Sequence, residues 1–279
     1  MTVILATACA IVYGTADFFG GLATRRSQVL SVVALSQTAG LALILGLLPL
    51  LPGAYDGTAL SWGLAAGLSG AAGLVLFYRA LATGVMSVVA PTTAVTSAAL
   101  PVVFGLASGE RPQVWALVGV ALALGAVLLV SQDRSEGGRV SLPVVLTSLA
   151  AGAGFGGFFI LLAMAPHEAG LWPLVGARMS SVSAVALLAL LTRRGLRPGP
   201  GSLHIIVAAG VLDMAANVLY LLAQRGGLLS LVAVLVSLYP ASTLLLARQV
   251  LGERLRAVQV AGVVCALAAV ALIAVAQHP

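Results

Sequence analysis

Lysine is absent from this chain of 279 residues, and only 8% of its residues are charged. Soluble domains average about 25% charged residues. A chain this poor in charge would expose more apolar surface than water tolerates, which excludes a soluble enzyme or carrier. Aromatics make up 5%, and the 14 basic residues, all arginine, stand singly or in twos and threes between apolar runs. Despite a formal charge of +6, no basic patch interleaved with aromatics exists, so nucleic acid is not an expected partner. The two cysteines, Cys9 and Cys265, lie inside apolar runs near opposite ends, and no CxxC occurs. The histidines His167, His204 and His278 form no cluster. Neither a metal nor another cofactor is expected. No nucleophile–base pair and no phosphate-binding loop stands out, so neither catalysis nor direct ATP drive is expected. Gly152-x-Gly154-x-x-Gly157 matches a dinucleotide fingerprint in spelling alone, because it sits within an apolar helix with no strand before it.

What is present is hydrophobicity: 61% of residues are apolar and mean hydropathy is +1.12. A helix needs about 20 apolar residues to cross the hydrocarbon. Cuts at charges, prolines and glycine-rich breaks give ten expected spans: Thr2–Ala23, Val29–Leu51, Leu60–Thr83, Ser87–Ser108, Val114–Gln132, Leu142–Ala165, Leu171–Thr192, Leu203–Gln224, Leu228–Val250 and Ala257–Ala276. The first run lacks a positive leader and reads as a retained span. The connections are short, leaving no room for an extramembrane domain. Gly63, Gly67, Gly70 and Gly73 form a small-residue series along span 3, of the kind that lets helices approach closely in lipid.

Internal repetition organises the chain. Gly109-Glu110-Arg111 recurs as Gly252-Glu253-Arg254, and Tyr78 with Gly84 recurs as Tyr220 with Gly226, at an offset close to 143 residues. Residues 1–140 and 141–279 are therefore expected to be two five-helix repeats forming one membrane domain, divided near Asp133–Ser141. Five is odd, so the second repeat enters the membrane from the opposite side. An all-α membrane protein of ten helices in two inverted repeats is the design from which alternating-access transporters are built.

These features resemble the drug/metabolite transporter superfamily, specifically its EamA-like ten-helix branch. The resemblance implies export or exchange of a small metabolite, amino acid or drug through a central cavity, lined by spans 1, 3, 4, 6, 8 and 9. It also implies a multi-pass protein of the cell membrane, with protons as the coupling ion and a monomer or weak homodimer as the unit. The design is similar to small multidrug resistance proteins, whose first-helix carboxylate couples protons to cation efflux; Asp17 holds a comparable place. An arginine early in the second helix of each half is common in the family. Arg178 matches it in span 7, whereas span 2 holds Gln37. A lipid or lipid-linked-sugar flippase, which would need an opening to the bilayer, and a non-transporting membrane scaffold are the alternatives.

Ionisable groups inside spans are costly and therefore functional candidates. Asp17 shares a helical face with Tyr13 at i, i+4, and reads as a proton- or cation-binding group. The plainer alternative is a solvated carboxylate near the interface, two turns from Arg25 and Arg26. Asp213, Asn217 and Tyr220 make a polar stripe on span 8, with Asp213 near mid-membrane and within plausible reach of Arg178. That pair reads equally as a gate, a carboxylate-binding arginine or a structural ion pair. Spans 4 and 9 combine proline with hydroxyls (Pro91, Thr93, Ser97 and Pro101; Ser237, Tyr239, Pro240 and Thr243), which permits bending and backbone lining of a cavity; ordinary packing is the alternative. Thr93 and Tyr239 are the substrate-site candidates there. Trp62, Trp115 and Trp172 near span ends read as interfacial anchors. Glu110 and Glu253 read as acids at the start of the helices they open, favoured by the helix dipole.

Charge also orients the chain. With the amino terminus outside, Arg25, Arg26, Arg79, Arg134, Arg139, Arg193, Arg194, Arg197, Arg248, Arg254 and Arg256 fall inside, and only Arg111 and Arg225 outside. The positive-inside rule then puts both termini outside, although members of the family are generally drawn with both inside. A carboxy-terminal alkaline phosphatase fusion should be active and a GFP fusion dark; the reverse pattern would overturn this orientation.

Overall fold

The computed structural model describes residues 1–50, 53–83, 86–130, 141–193, 195–251 and 256–276. Among the described residues there is no strand. The helices are α1 (Thr2–Thr24), α2 (Val29–Leu47), α3 (Gly57–Thr83), α4 (Met86–Ala107), α5 (Val114–Val130), α6 (Leu142–Ala163), α7 (Trp172–Thr192), α8 (Leu203–Arg225), α9 (Leu229–Val236), α10 (Tyr239–Leu251) and α11 (Ala257–Ala276). Eight segments are long and apolar enough to cross a membrane, with α9 and α10 joined as one, and α4 and α5 carry shorter apolar stretches. Gly84, the boundary at Asp133, Arg134, Arg139, Arg194, Gly252-Glu253-Arg254 and His278 lie outside the described residues, as do the side chains of Tyr78 and Pro91.

Local chemistry sets most of the ends. Pro143 and Pro173 open α6 and α7 within the first turn, where a missing N–H costs nothing. α2 stops at Leu47, short of the expected Leu51, as Leu50 N donates back to Leu47 O in a tight turn. Span 9 is broken rather than continuous. Pro240 has no N–H for the carbonyl of Val236 four residues back, and its ring crowds that carbonyl. The helix accordingly ends at Val236 and restarts at Tyr239.

Packing is by close approach of small residues, since lipid offers no hydrophobic drive between helices. A Cβ on Gly63 or Gly67 would collide with the backbone of α7 at Pro173 and Ala177. The supposed dinucleotide glycines act the same way on two faces of α6. Gly152 and Gly156 meet α4 at Thr93 and Ser97, while Gly154 and Gly157 meet α3 at Gly73 and Ser69. The main pairings are α1 on α8, α3 on α6 and α7, α4 on α6, α2 on α7 and α8, and α9–α10 on α1; α5 and α11 form a pair of their own.

Candidate functional site

Between these helices lies a cavity of about 300 Å³, lined from α1, α2, α3, α4, α6, α7, α8 and α10. Its polar groups are Tyr13 and Asp17 on α1, Gln37 on α2, Ser97 on α4, Arg178 and Ser181 on α7, Asp213 and Asn217 on α8, and Tyr239 at the restart of α10. The contribution of α2 and α7 goes beyond the six spans expected to line it. Its apolar walls are Phe155, Phe158 and Phe159 of α6 and the glycine face of α3.

Arg178 is the hub. Only 8% of its side chain is exposed, and it pairs with Asp213 Oδ2 on one side and donates to Gln37 Oε1 on the other. Ser181 also donates to Gln37 Oε1, at 3.4 Å. One guanidinium therefore ties α2 of the first half to α7 and α8 of the second. Gly40 packs beside it: a Cβ there would sit 3.4 Å from Arg178 Nε, an ordinary contact. Asn217 is 3% exposed; its Nδ2 donates to the Asp213 backbone carbonyl at 2.8 Å, and its Oδ1 has no partner among the described residues.

Asp17 differs from Asp213. It is exposed to the cavity and makes no hydrogen bond or ion pair with any described residue. Arg178 and Asp213 cancel, which leaves Asp17 as the uncompensated charge among the described lining residues. Electron-rich rings line the same cavity: Tyr13 lies 6.3 Å from Tyr239 and 6.5 Å from Phe159 between centroids. A carboxylate and aromatic rings lining one cavity are chemistry suited to an organic cation.

Two expected site residues fall outside the lining. Tyr220 is fully buried: its hydroxyl donates to Phe159 O at 2.9 Å and its ring packs tilted against that of Phe159, 4.6 Å between centroids. The i+7 position carries it one turn too deep into the α6–α8 contact. Thr93, 4% exposed, donates to Ser148 O at 3.2 Å and belongs to the α4–α6 seam. Ser97, named with the span 4 hydroxyls, does line the cavity, as do Ser181 and the three phenylalanines of α6, on which the sequence reading is silent. The Phe pairs at i, i+3 and i, i+4 offered a signal, but in an apolar helix it is indistinguishable from lipid-facing surface.

Glu110 is placed differently from the sequence expectation. It lies before α5 and does not cap the helix it precedes. Its carboxylate accepts from Leu229 N at 2.7 Å and Ser230 N at 3.1 Å, the first amides of α9 in the other half. α9 has no side-chain cap of its own, so Glu110 supplies both the cap and the charge its N-terminus favours. A Cβ on Gly105 would strike this carboxylate. Close by, Arg225 donates to Gly170 O at 2.5 Å.

The EamA-like transporter family matches residues 142–275 of this chain. The crystal structure of another protein, 18% identical, superposes with a TM-score of 0.75 over 97% of each chain; the two share a fold. No curated protein matches the sequence.

Proposed function

We propose that this chain, whose residues 142–275 match the EamA-like transporter family, is a secondary transporter that exports or exchanges a small cationic or zwitterionic metabolite by alternating access, with protons as the coupling ion. The observation that carries this reading is Asp17, a carboxylate without a partner among the described residues, opening into an aromatic-walled cavity between the helices. Asp17 exchanges a proton for the substrate's positive group, and Asn217 Oδ1 accepts an N–H or O–H from the same substrate. The Arg178–Asp213 pair holds the far wall and meets a carboxylate where the substrate has one.

Two inverted five-helix halves supply the alternation, and the packing supports them. Shifting by about half the chain exchanges the α1–α8 contact with the α3–α6 contact, and the α1–α10 contact with the α4–α6 contact. Individual glycines follow. Gly14 meets Tyr239 and Ser242 as Gly156 meets Ser97 and Leu100, and Gly67 on α7 is mirrored by Gly210 on α2. The direct test is uptake of labelled amines into proteoliposomes under an imposed pH gradient. Accumulation above equilibrium supports the reading, and a chain inert to every amine and zwitterion tried is a scaffold.

In this scheme the Glu110 contact is a closed gate, because it joins the α4–α5 turn of one half to the α8–α9 turn of the other. In the repeat register Glu253 stands to Met86 and Ser87 as Glu110 stands to Leu229 and Ser230. Glu110→Ala should lower stability by about 1–2 kcal/mol, the usual worth of a helix cap. It should also favour the state in which this end is open, by roughly tenfold for 1.4 kcal/mol of differential loss. With Cys9 and Cys265 replaced by alanine, a cysteine at Ser97 should then react faster with a polar maleimide added from the Glu110 side. Unchanged labelling would make the contact a structural cap and nothing more.

A further inference from the structure

α2 and α3 both pack on α7 but are not packed together, and the gap between them is a second, apolar hollow of about 540 Å³. Its walls are Val29, Leu30 and Val33 of α2, Val75 of α3, and Leu188 and Leu191 of α7. The flanks are open to the surroundings, with Val75 49% and Leu191 73% exposed. In a membrane protein that side faces hydrocarbon. The hollow is not separate from the polar cavity. Ala71, Leu74 and Val185 line both, so the two spaces adjoin at these three residues of α3 and α7. Two of the three, Ala71 and Leu74, are only partly buried.

We infer that the site takes amphipathic amines: a cationic head group sits in the cavity against Asp17, and an unbranched apolar tail passes over Ala71 and Leu74 into the α2–α3 hollow. This rests on the cation-binding reading of the cavity and adds the tail and its route. Size and polarity argue for it. The cavity is polar on one side and about 300 Å³, enough for a head group and little more. The adjoining hollow is larger and presents almost only aliphatic side chains, so it offers a polar group nothing and an alkyl chain a continuous wall. The opening between α2 and α3 lets such a molecule slide sideways from the bilayer with its tail never leaving an apolar medium. That avoids stripping the tail from lipid into water, which costs about fourfold in equilibrium for each methylene exposed.

The experiment uses the full chain in lipid nanodiscs and two probes, tetramethylammonium as the head group alone and a decyltrimethylammonium carrying a photoreactive diazirine at the tail end. Tetramethylammonium should raise the unfolding temperature of the wild type but not of Asp17→Asn; failure of this arm sinks the cavity reading itself. Photolysis should attach the decyl probe to peptides of α2 and α7, and excess tetramethylammonium should remove most of that label by displacing the head group. Val33→Trp, which fills the hollow and touches nothing in the cavity, should cut labelling by the decyl probe at least tenfold and leave the tetramethylammonium shift unchanged. Labelling of α2 and α7 that tetramethylammonium does not compete means that ordinary lipid occupies the hollow, and overturns the inference. So does a decyl probe that labels elsewhere, or a Val33→Trp chain that binds it as well as the wild type.

Discussion

Asp17→Asn is expected to abolish uphill transport driven by a pH gradient while leaving the protein folded and able to exchange substrate downhill. The variant removes a charge and keeps the shape. Asp17 makes no hydrogen bond or ion pair with a described residue, so its amide forfeits no partner, and the unfolding midpoint should stay within about 2 °C of wild type. Coupling requires one group to hold a proton or a cation but never both. An amide holds neither charge, so the link between the two fluxes is cut and the pH gradient performs no work. The second half carries no equivalent carboxylate, because the offset of 142–143 residues places Phe159 or Ile160 at the position of Asp17. No reserve group takes over. Counterflow of labelled against unlabelled amine separates the outcomes. If the Asn variant accumulates substrate at the wild-type rate, coupling lies elsewhere, and Asp213 is the next group to neutralise.

The helices were legible because the bilayer imposes a length and forbids charge, so charges and prolines mark the ends. Span 10 was bounded at Ala257–Ala276, as observed. What escaped was the backbone response to one proline. Pro240 breaks its span while Pro101 leaves α4 unbroken, a difference decided by neighbours that no local pattern records. At the site, Asp17, Arg178 and Asp213 stood out because ionisable groups are rare in apolar helices. Tyr220 and Thr93 misled because a hydroxyl on a plausible face reads the same whether it meets a cavity or a carbonyl. The Glu110 contact was invisible for another reason: its partners are main-chain amides 119 and 120 residues away, and an amide has no sequence signature. The duplication of Gly-Glu-Arg flagged the position, and only the fold could supply the partner.

Arg178 and Asp213 should prove energetically inseparable, and unequally so. Breaking a buried ion pair by removing one member costs about 3–5 kcal/mol, most of it the penalty of stranding the other charge. The two ends here are not equally buried: 8% of the Arg178 side chain is exposed against 35% of Asp213. Asp213→Asn strands the deeper charge with only neutral amide oxygens, that of Gln37 and that of the new asparagine, left to accept from it, and belongs at the upper end of that range. Arg178→Gln strands a carboxylate that can be hydrated through the cavity, and belongs at the lower end. The charge-swapped double variant, Arg178→Asp with Asp213→Arg, should recover part of the loss. The swap restores opposite charges between α7 and α8, and Gln37 can turn its amide to donate to the new carboxylate. Equilibrium unfolding in mild detergent gives the four corners of the cycle, and the coupling should exceed about 1 kcal/mol, well outside the additivity expected of independent sites. Additive losses would dissolve the pair as a unit. A swapped chain that regains stability without regaining transport would show that the cavity reads the position of the guanidinium and not merely the closure of the pair.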